Sequence, residues 1–197
     1  MKDGSLARLF VAVDLPALVR ERLAAWAKSA VSGAFAGRAA MPRLIAPESM
    51  HLTLCFLGNR PTSEIVPLGD AVSACGRVVG ELSLGAPLWL PPRRPRALAV
   101  EVRDESGALL ALKGDVLNAL AAVSEADLAA ERRRFRPHVT VARLRERGRP
   151  RERQLAPTPA LAFAPESLAL YRSFLARDGA RYESLASVGL REGPVAD

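Results

Sequence analysis

Two short stretches of this chain read alike, and together they constrain its fold more than any other feature: His51-Leu52-Thr53-Leu54 and His138-Val139-Thr140-Val141. Each alternates polar and apolar side chains, the pattern of a strand with one buried face, so histidine and threonine point one way and the aliphatic residues the other. The chain holds two histidines and four threonines. Random placement would set a threonine two residues after both histidines only roughly once in a few thousand such sequences, well below the false-positive risk of short motifs. The motifs stand 87 residues apart. That is too far for a short solenoid repeat and right for two lobes of one domain that face each other.

The rest of the pattern mixes strands and helices. Residues 8 to 14 read as a strand, closed by Leu15-Pro16, and Leu18, Arg22, Leu23, Trp26, Ala27 and Ala30 recur at helical spacing until Gly33 and Gly37. Residues 50 to 57 alternate, which predicts His51, Thr53 and Cys55 on one face and Leu52, Leu54 and Phe56 on the other. A helix is predicted over Ser63 to Val79, with Pro67 tolerated in its first turn, and another carries Leu109, Leu112, Val116 and Leu120. Strands are predicted at 81 to 90, 97 to 103, 138 to 144, 167 to 174 and 181 to 190. Pro91 and Pro92 interrupt pairing after the first of these, and Arg177-Asp178-Gly179 turns between the last two. Short turns between neighbouring strands predict an α+β fold with a mainly antiparallel sheet.

With 49% hydrophobic residues over 197 positions, one domain buries a sizeable core, and a net charge of +7 favours polyanionic partners. Cys55 and Cys75 are too few for a disulfide framework and have no metal-type spacing. The start, Met1-Lys2-Asp3-Gly4-Ser5, lacks the apolar core of a signal peptide, and no stretch has the ~18 consecutive apolar residues of a membrane span. These features predict a cytoplasmic protein with no membrane association.

An imidazole both takes and gives a proton near neutral pH, and two of them in matched settings fit a base and an acid for one reaction. A phosphodiester suits the set: hydroxyls of Thr53 and Thr140 hold non-bridging oxygens, one imidazole activates water and the other protonates the leaving alkoxide. Arg136, two residues before His138, is placed to meet a phosphate with a planar donor pair, whereas Arg132 to Arg134 read as a solvated charge run. Tyr171 and Phe56 are candidates to stack on a base, although the alternation turns Phe56 away from His51. A metal shared by the two histidines needs a third ligand, and neither motif brings a nearby acidic residue. No Gly-x-Ser-x-Gly elbow is present for a serine nucleophile.

Beyond the two His-x-Thr-x motifs, the chain carries Arg8 to Pro16 (RLFVAVDLP), Pro47 to Gly58 (PESMHLTLCFLG), Phe135 to Arg143 (FRPHVTVAR), and Leu170-Tyr171-Arg172-Ser173 followed by Gly179-Ala180-Arg181-Tyr182. In these blocks, spread over nearly its full length, it resembles the 2H phosphoesterases, in particular the bacterial and archaeal RNA 2′,3′-cyclic phosphodiesterases first described as 2′-5′ RNA ligases. The resemblance implies a bilobal α+β fold over 1-197 as a single domain, with two pseudo-symmetric lobes of mainly antiparallel strands and flanking helices around a central cleft. It implies His51 as proton donor to the leaving ribose oxygen, His138 as proton acceptor from water, and Thr53 and Thr140 as phosphate holders. The implied product is a 2′-phosphate, made without metal or cofactor. Cys55 stands where relatives often carry a longer polar or basic residue.

The partner expected is an RNA end or nucleotide with a 2′,3′-cyclic phosphate, met by a monomer without a separate RNA-binding domain. Two alternatives stand beside hydrolysis. The same acid and base working in reverse join a cyclic phosphate end to a 5′-hydroxyl, as a 2′-5′ RNA ligase does. A non-catalytic RNA-end binding module is the other, and it gives no reason for two proton-transfer groups.

Overall fold

The computed structural model describes residues 5–37, 40–126, 128, 131, 135–144, 150, 154–176 and 179–192. Its centre is a nine-stranded sheet. Eight strands run in the spatial order β10 (Gly179–Gly189), β9 (Ser167–Ala176), β1 (Leu6–Asp14), β3 (His51–Pro61), β7 (His138–Arg143), β6 (Ala97–Arg103), β5 (Leu82–Leu90) and β8 (Ala162–Phe163), and β2 (Arg43–Leu44) pairs beside β7. All these pairs are antiparallel, as the short turns predicted. A separate parallel pair joins β4 (Val78–Val79) to β11 (Arg191–Glu192).

The two motif strands, β3 and β7, lie at the middle of the order with three further strands on either side. The halves meet at one rung, Leu52 opposite Val139. Both side chains are fully buried, in one cluster with Leu9, Val11, Val13, Leu98, Val100 and Leu170. Three helices add their apolar faces to that cluster: α1 (Ala17–Ala34), α2 (Ile65–Ser73) and α3 (Ala108–Val123). The opposite, polar face of the central strands is thereby left to line a cleft.

Three details depart from the predicted pattern. In α1 the buried stripe is Val19, Leu23, Ala27, Ala30, Val31 and Ala34, while Leu18 is 58% exposed. Spacing of four back from Ala27 and Leu23 reaches Val19, and Leu18 falls off that face. The helix also runs through Gly33, and Gly37 takes the left-handed conformation (φ 70) just beyond it. Second, α2 stops at Ser73, six residues short, since the chain turns there to bring Val78–Val79 into its parallel pair. Gly76 suits that turn, because a Cβ on it would lie 2.8 Å from Val188.

The third departure matters most for the cleft. Pairing of β1 with β3 skips Leu54, between Val11↔Cys55 and Ala12↔Thr53, and skips Leu57, between Leu9↔Gly58 and Phe10↔Phe56. Each skip is a β-bulge that adds a residue to β3 and shifts the faces of those after it. Leu54, Cys55 and Leu57 are buried, and Phe56 emerges on the side of His51. The predicted faces of Cys55 and Phe56 are therefore exchanged. Cys55 lies in the core and offers the cleft no substrate contact. The Arg177-Asp178 part of the predicted turn and the run Arg132 to Arg134 lie outside the described residues.

Candidate active site

Antiparallel pairing at Leu52↔Val139, continued one residue each way, sets His51 across from Thr140 and Thr53 across from His138. Leu52 and Val139 point into the core, so their neighbours point together into the cleft. Two imidazoles and two hydroxyls thus form a square with like groups at opposite corners, its edges on the order of 5 Å across the strands and about 7 Å along them. All four line one cleft of about 1260 Å³.

The strands flanking the square carry alanine opposite each threonine. Ala12 pairs with Thr53 and Ala99 with Thr140, and both are fully buried. A methyl at each place leaves room above it for a tetrahedral phosphate.

Each imidazole is fixed in the same way. Nδ1 of His51 donates to the carbonyl of Ser49 at 3.0 Å, and Nδ1 of His138 donates to the carbonyl of Arg136 at 2.8 Å. A carbonyl only accepts, so the Nδ1 proton is pinned and Nε2 is left as the exchanging atom on both rings. A proline precedes each motif: Pro47 opens the 3₁₀ turn Pro47–Ser49 before one, and Pro137 directly precedes His138 in the other.

The settings of the two rings differ. His51 is packed among aromatic rings: Phe10 at 4.9 Å, Tyr182 edge-on at 5.0 Å and Tyr171 at 6.1 Å. Burial lowers its pKa to about 4, with Arg143 and His138 adding to the depression and the Ser49 carbonyl and Asp14 opposing it. His51 is therefore neutral at pH 7. Asp14 lies across from it in the register, and its carboxylate accepts hydrogen bonds from Tyr171 Oη at 2.6 Å and Ser167 Oγ at 2.5 Å. Burial first, then that carboxylate, hold the Tyr171 hydroxyl protonated well above its usual range.

The residues predicted from sequence therefore divide. His51, Thr53, His138, Thr140 and Arg136 share the main cleft, and Arg136 also supplies the carbonyl that fixes His138. Tyr171 lines a smaller adjoining pocket of about 450 Å³ behind His51, with its ring stacked on Phe10 at 5.3 Å and its hydroxyl committed to Asp14. The structure places it as a support for the aromatic wall, away from the square. Arg8, Arg43, Arg143 and Arg181 also line the cleft and were missed, as were Phe10, Tyr182 and Asp14. Arg43 crosses to β10, where its guanidinium occupies the space that a Cβ on Gly179 would take. One signal for Asp14 was readable: Ala12-Val13-Asp14 recurs as Ala99-Val100-Glu101, at the same 87-residue offset as the histidines. Glu101 lies across from His138 as Asp14 does from His51. Among the described residues, no group of three or more His, Cys, Asp or Glu stands together as a metal site.

Known proteins share this fold and part of the sequence that builds it. No family model matches the chain. An RNA 2′,3′-cyclic phosphodiesterase of Escherichia coli K12 is 31% identical over 181 residues, covering 90% of this chain and 93% of that relative. The chain belongs to the RNA 2′,3′-cyclic phosphodiesterases of the 2H phosphoesterase family. A Geobacillus stearothermophilus protein of the same name is 29% identical over 153 residues, which cover 75% of this 2H phosphoesterase and 47% of that relative, so the match spans about half the relative's length. The crystal structure of TT0787 of Thermus thermophilus superposes with a TM-score of 0.78 at 26% identity, over 94% of this chain and 98% of that one. Escherichia coli LigT complexed with 3′-AMP superposes with a TM-score of 0.71 at 26% identity, over 94% and 99%. The bilobal α+β fold expected from the resemblance is the fold these 2H phosphoesterases share.

Proposed function

We propose that this protein hydrolyses 2′,3′-cyclic phosphate ends of RNA to 2′-phosphomonoesters, with His138 as the base, His51 as the acid and no metal. The observation that carries the reading is the square of two imidazoles and two hydroxyls made by the Leu52↔Val139 rung, with both rings presented through Nε2. In the proposed step, Nε2 of His138 takes a proton from water, the water oxygen bonds to phosphorus, and the bond from phosphorus to the ribose 3′ oxygen breaks. Nε2 of protonated His51 gives its proton to that leaving oxygen. Thr53 and Thr140 donate hydrogen bonds to the non-bridging oxygens, and the Arg136 side chain adds positive charge at the cleft.

His51 must be protonated for this role, and burial opposes that. An arriving phosphodiester places a negative charge beside the ring and raises its pKa, so the substrate itself loads the acid. The relatives' names support the substrate, as does the 3′-AMP complex of LigT. We take the chain to act as one bilobal domain, as a monomer and in the cytoplasm; the free thiols of Cys55 and Cys75 support a reducing compartment. Among the described residues, no helix is long and apolar enough to cross a membrane.

The test is incubation of the purified protein in EDTA with cyclic-ended RNA, with and without a 5′-hydroxyl RNA, followed by location of the phosphate. The expected product in both cases is a 2′-phosphate. A predominant 2′-5′ joined product would move the protein to the ligase reading. Activity lost in chelator and restored by Zn²⁺ or Mn²⁺ would end the two-histidine mechanism.

A further inference from the structure

His51 is asked to carry a positive charge in a place that resists one. It gives a proton only after it has been protonated, yet aromatic rings surround it, and a charge taken out of water is costly unless a partner of opposite sign stands near. A carboxylate is placed to be that partner. Asp14, the last residue of β1, lies directly across from His51 in the register, so the two side chains leave the same face of the sheet. Both line the smaller pocket of about 450 Å³. Two donors from β9 hold the carboxylate in place, Tyr171 Oη on one oxygen at 2.6 Å and Ser167 Oγ on the other at 2.5 Å.

The repeat within the chain supplies a comparison. Glu101 stands across from His138 as Asp14 does from His51, but its side chain goes elsewhere. The Glu101 carboxylate folds over Gly85 on β5, where a Cβ would lie 2.7 Å from it, and Arg103 Nε stands 4.0 Å away. It therefore leans to the side of β6 that is opposite β7 and His138. The difference suits the roles read above, since an acid must become an imidazolium, whereas a base must stay neutral until it takes its proton. Around His51, Arg143 and His138 on β7 work against protonation and Asp14 works for it. Arg181 on β10 and Glu48 in the turn before β3 also line the smaller pocket, but both are exposed, where solvent screens them, and Tyr171 and Tyr182 bring hydroxyls.

We propose that Asp14 is the counter-charge of the general acid, a positioning residue that lets His51 hold the proton it gives to the leaving oxygen and regain it after each turnover. The proposal rests on the activity read above and adds a third group to its acid and base. Asp14 acts through the ring and not on the substrate. The proton passes from solvent to Nε2 of His51 and on to the ribose oxygen, and Asp14 stays a carboxylate throughout.

The test uses the whole protein in four forms: wild type, Asp14→Asn, Asp14→Glu and Tyr171→Phe. One reading needs no turnover, the pKa of the His51 ring followed by NMR in saturating inorganic phosphate. Asp14→Asn keeps the shape and removes the charge, and should lower that pKa by about one unit or more. Asp14→Glu keeps the charge and Tyr171→Phe removes only a brace, so both should stay near the wild-type value. The second reading is kcat on adenosine 2′,3′-cyclic phosphate. Above the pKa of an acid, each unit taken from it lowers the protonated fraction about tenfold, so Asp14→Asn should lose about tenfold or more at about pH 8 and less toward about pH 5. An equal His51 pKa in wild type and Asp14→Asn, an equal fall in Asp14→Asn and Tyr171→Phe, or a wild-type kcat for Asp14→Asn at the higher pH would overturn the counter-charge. No hydrolysis by the wild type, with the NMR shift intact, would overturn the activity read above and leave the coupling of Asp14 to His51 standing.

Discussion

Burial among Phe10, Tyr171 and Tyr182 gives His51 a property that can be followed by pH. Its folded-state pKa of about 4 lies below the 6.5 of an exposed histidine. Between those values the unfolded chain takes a proton that the folded chain refuses, so stability falls as pH drops through this window. His51→Gln should remove that part of the slope in denaturant unfolding measured from pH 7 to 4. Titration by NMR should find the His51 pKa raised when inorganic phosphate is added, and a pKa indifferent to phosphate would remove the substrate-loaded acid from the mechanism. His51→Ala and His138→Ala should each lower kcat by about 10²- to 10⁴-fold or more, with little further loss in the double variant, because both rings serve one transition state. A single variant keeping more than about a tenth of the wild-type rate would exclude that ring from proton transfer. Thr53→Val and Thr140→Val should cost about ten- to a hundredfold in kcat/KM, the worth of a hydrogen bond to a charged group. An unchanged rate in both would assign the hydroxyls to the fold.

Elements hold these residues by contacts that sequence shows unevenly. Strand β7 and helix α3 were legible because their patterns are regular: Leu109, Leu112, Val116 and Leu120 are all fully buried as spaced. Strand β3 was legible only as far as Thr53, since no local signal distinguishes an alternating strand from one with bulges at Leu54 and Leu57; the register of β1 decides it. Lys113 was also invisible as a buried residue. It is 7% exposed on α3, with its amine 3.8 Å from Glu131 and 4.8 Å from the centre of the Phe135 ring. Glu131 and Phe135 precede the second motif in the chain, so this contact ties α3 to the approach of His138. Removing one partner strands the other charge, whereas removing both does not. Glu131→Gln should therefore destabilise the protein more than the pair Lys113→Met with Glu131→Gln, read by urea midpoints at pH 7. Equal costs would show that the two charges are uncoupled.

For the whole molecule, the histidine pair and the two-lobed plan were readable because the 87-residue offset repeats; the arginine lining was not, because Arg8, Arg43, Arg143 and Arg181 come from separate strands that only the sheet order assembles. Their summed charge predicts a KM that rises steeply with salt, and Arg136→Ala should raise KM more at low salt than at high. A salt-independent KM would remove arginine from substrate capture. The Leu52↔Val139 rung carries a consequence of another kind. Turning the square by half a revolution about that rung exchanges His51 with His138 and Thr53 with Thr140, so the four groups alone are indifferent to which way round a substrate enters. An RNA end has a direction. Here the two sides are made unequal by what surrounds each ring: an aromatic wall of Phe10 and Tyr182 at His51, an exposed arginine two residues before His138. The orientation of the substrate, and with it which ribose oxygen keeps the phosphate, is written in the unduplicated residues.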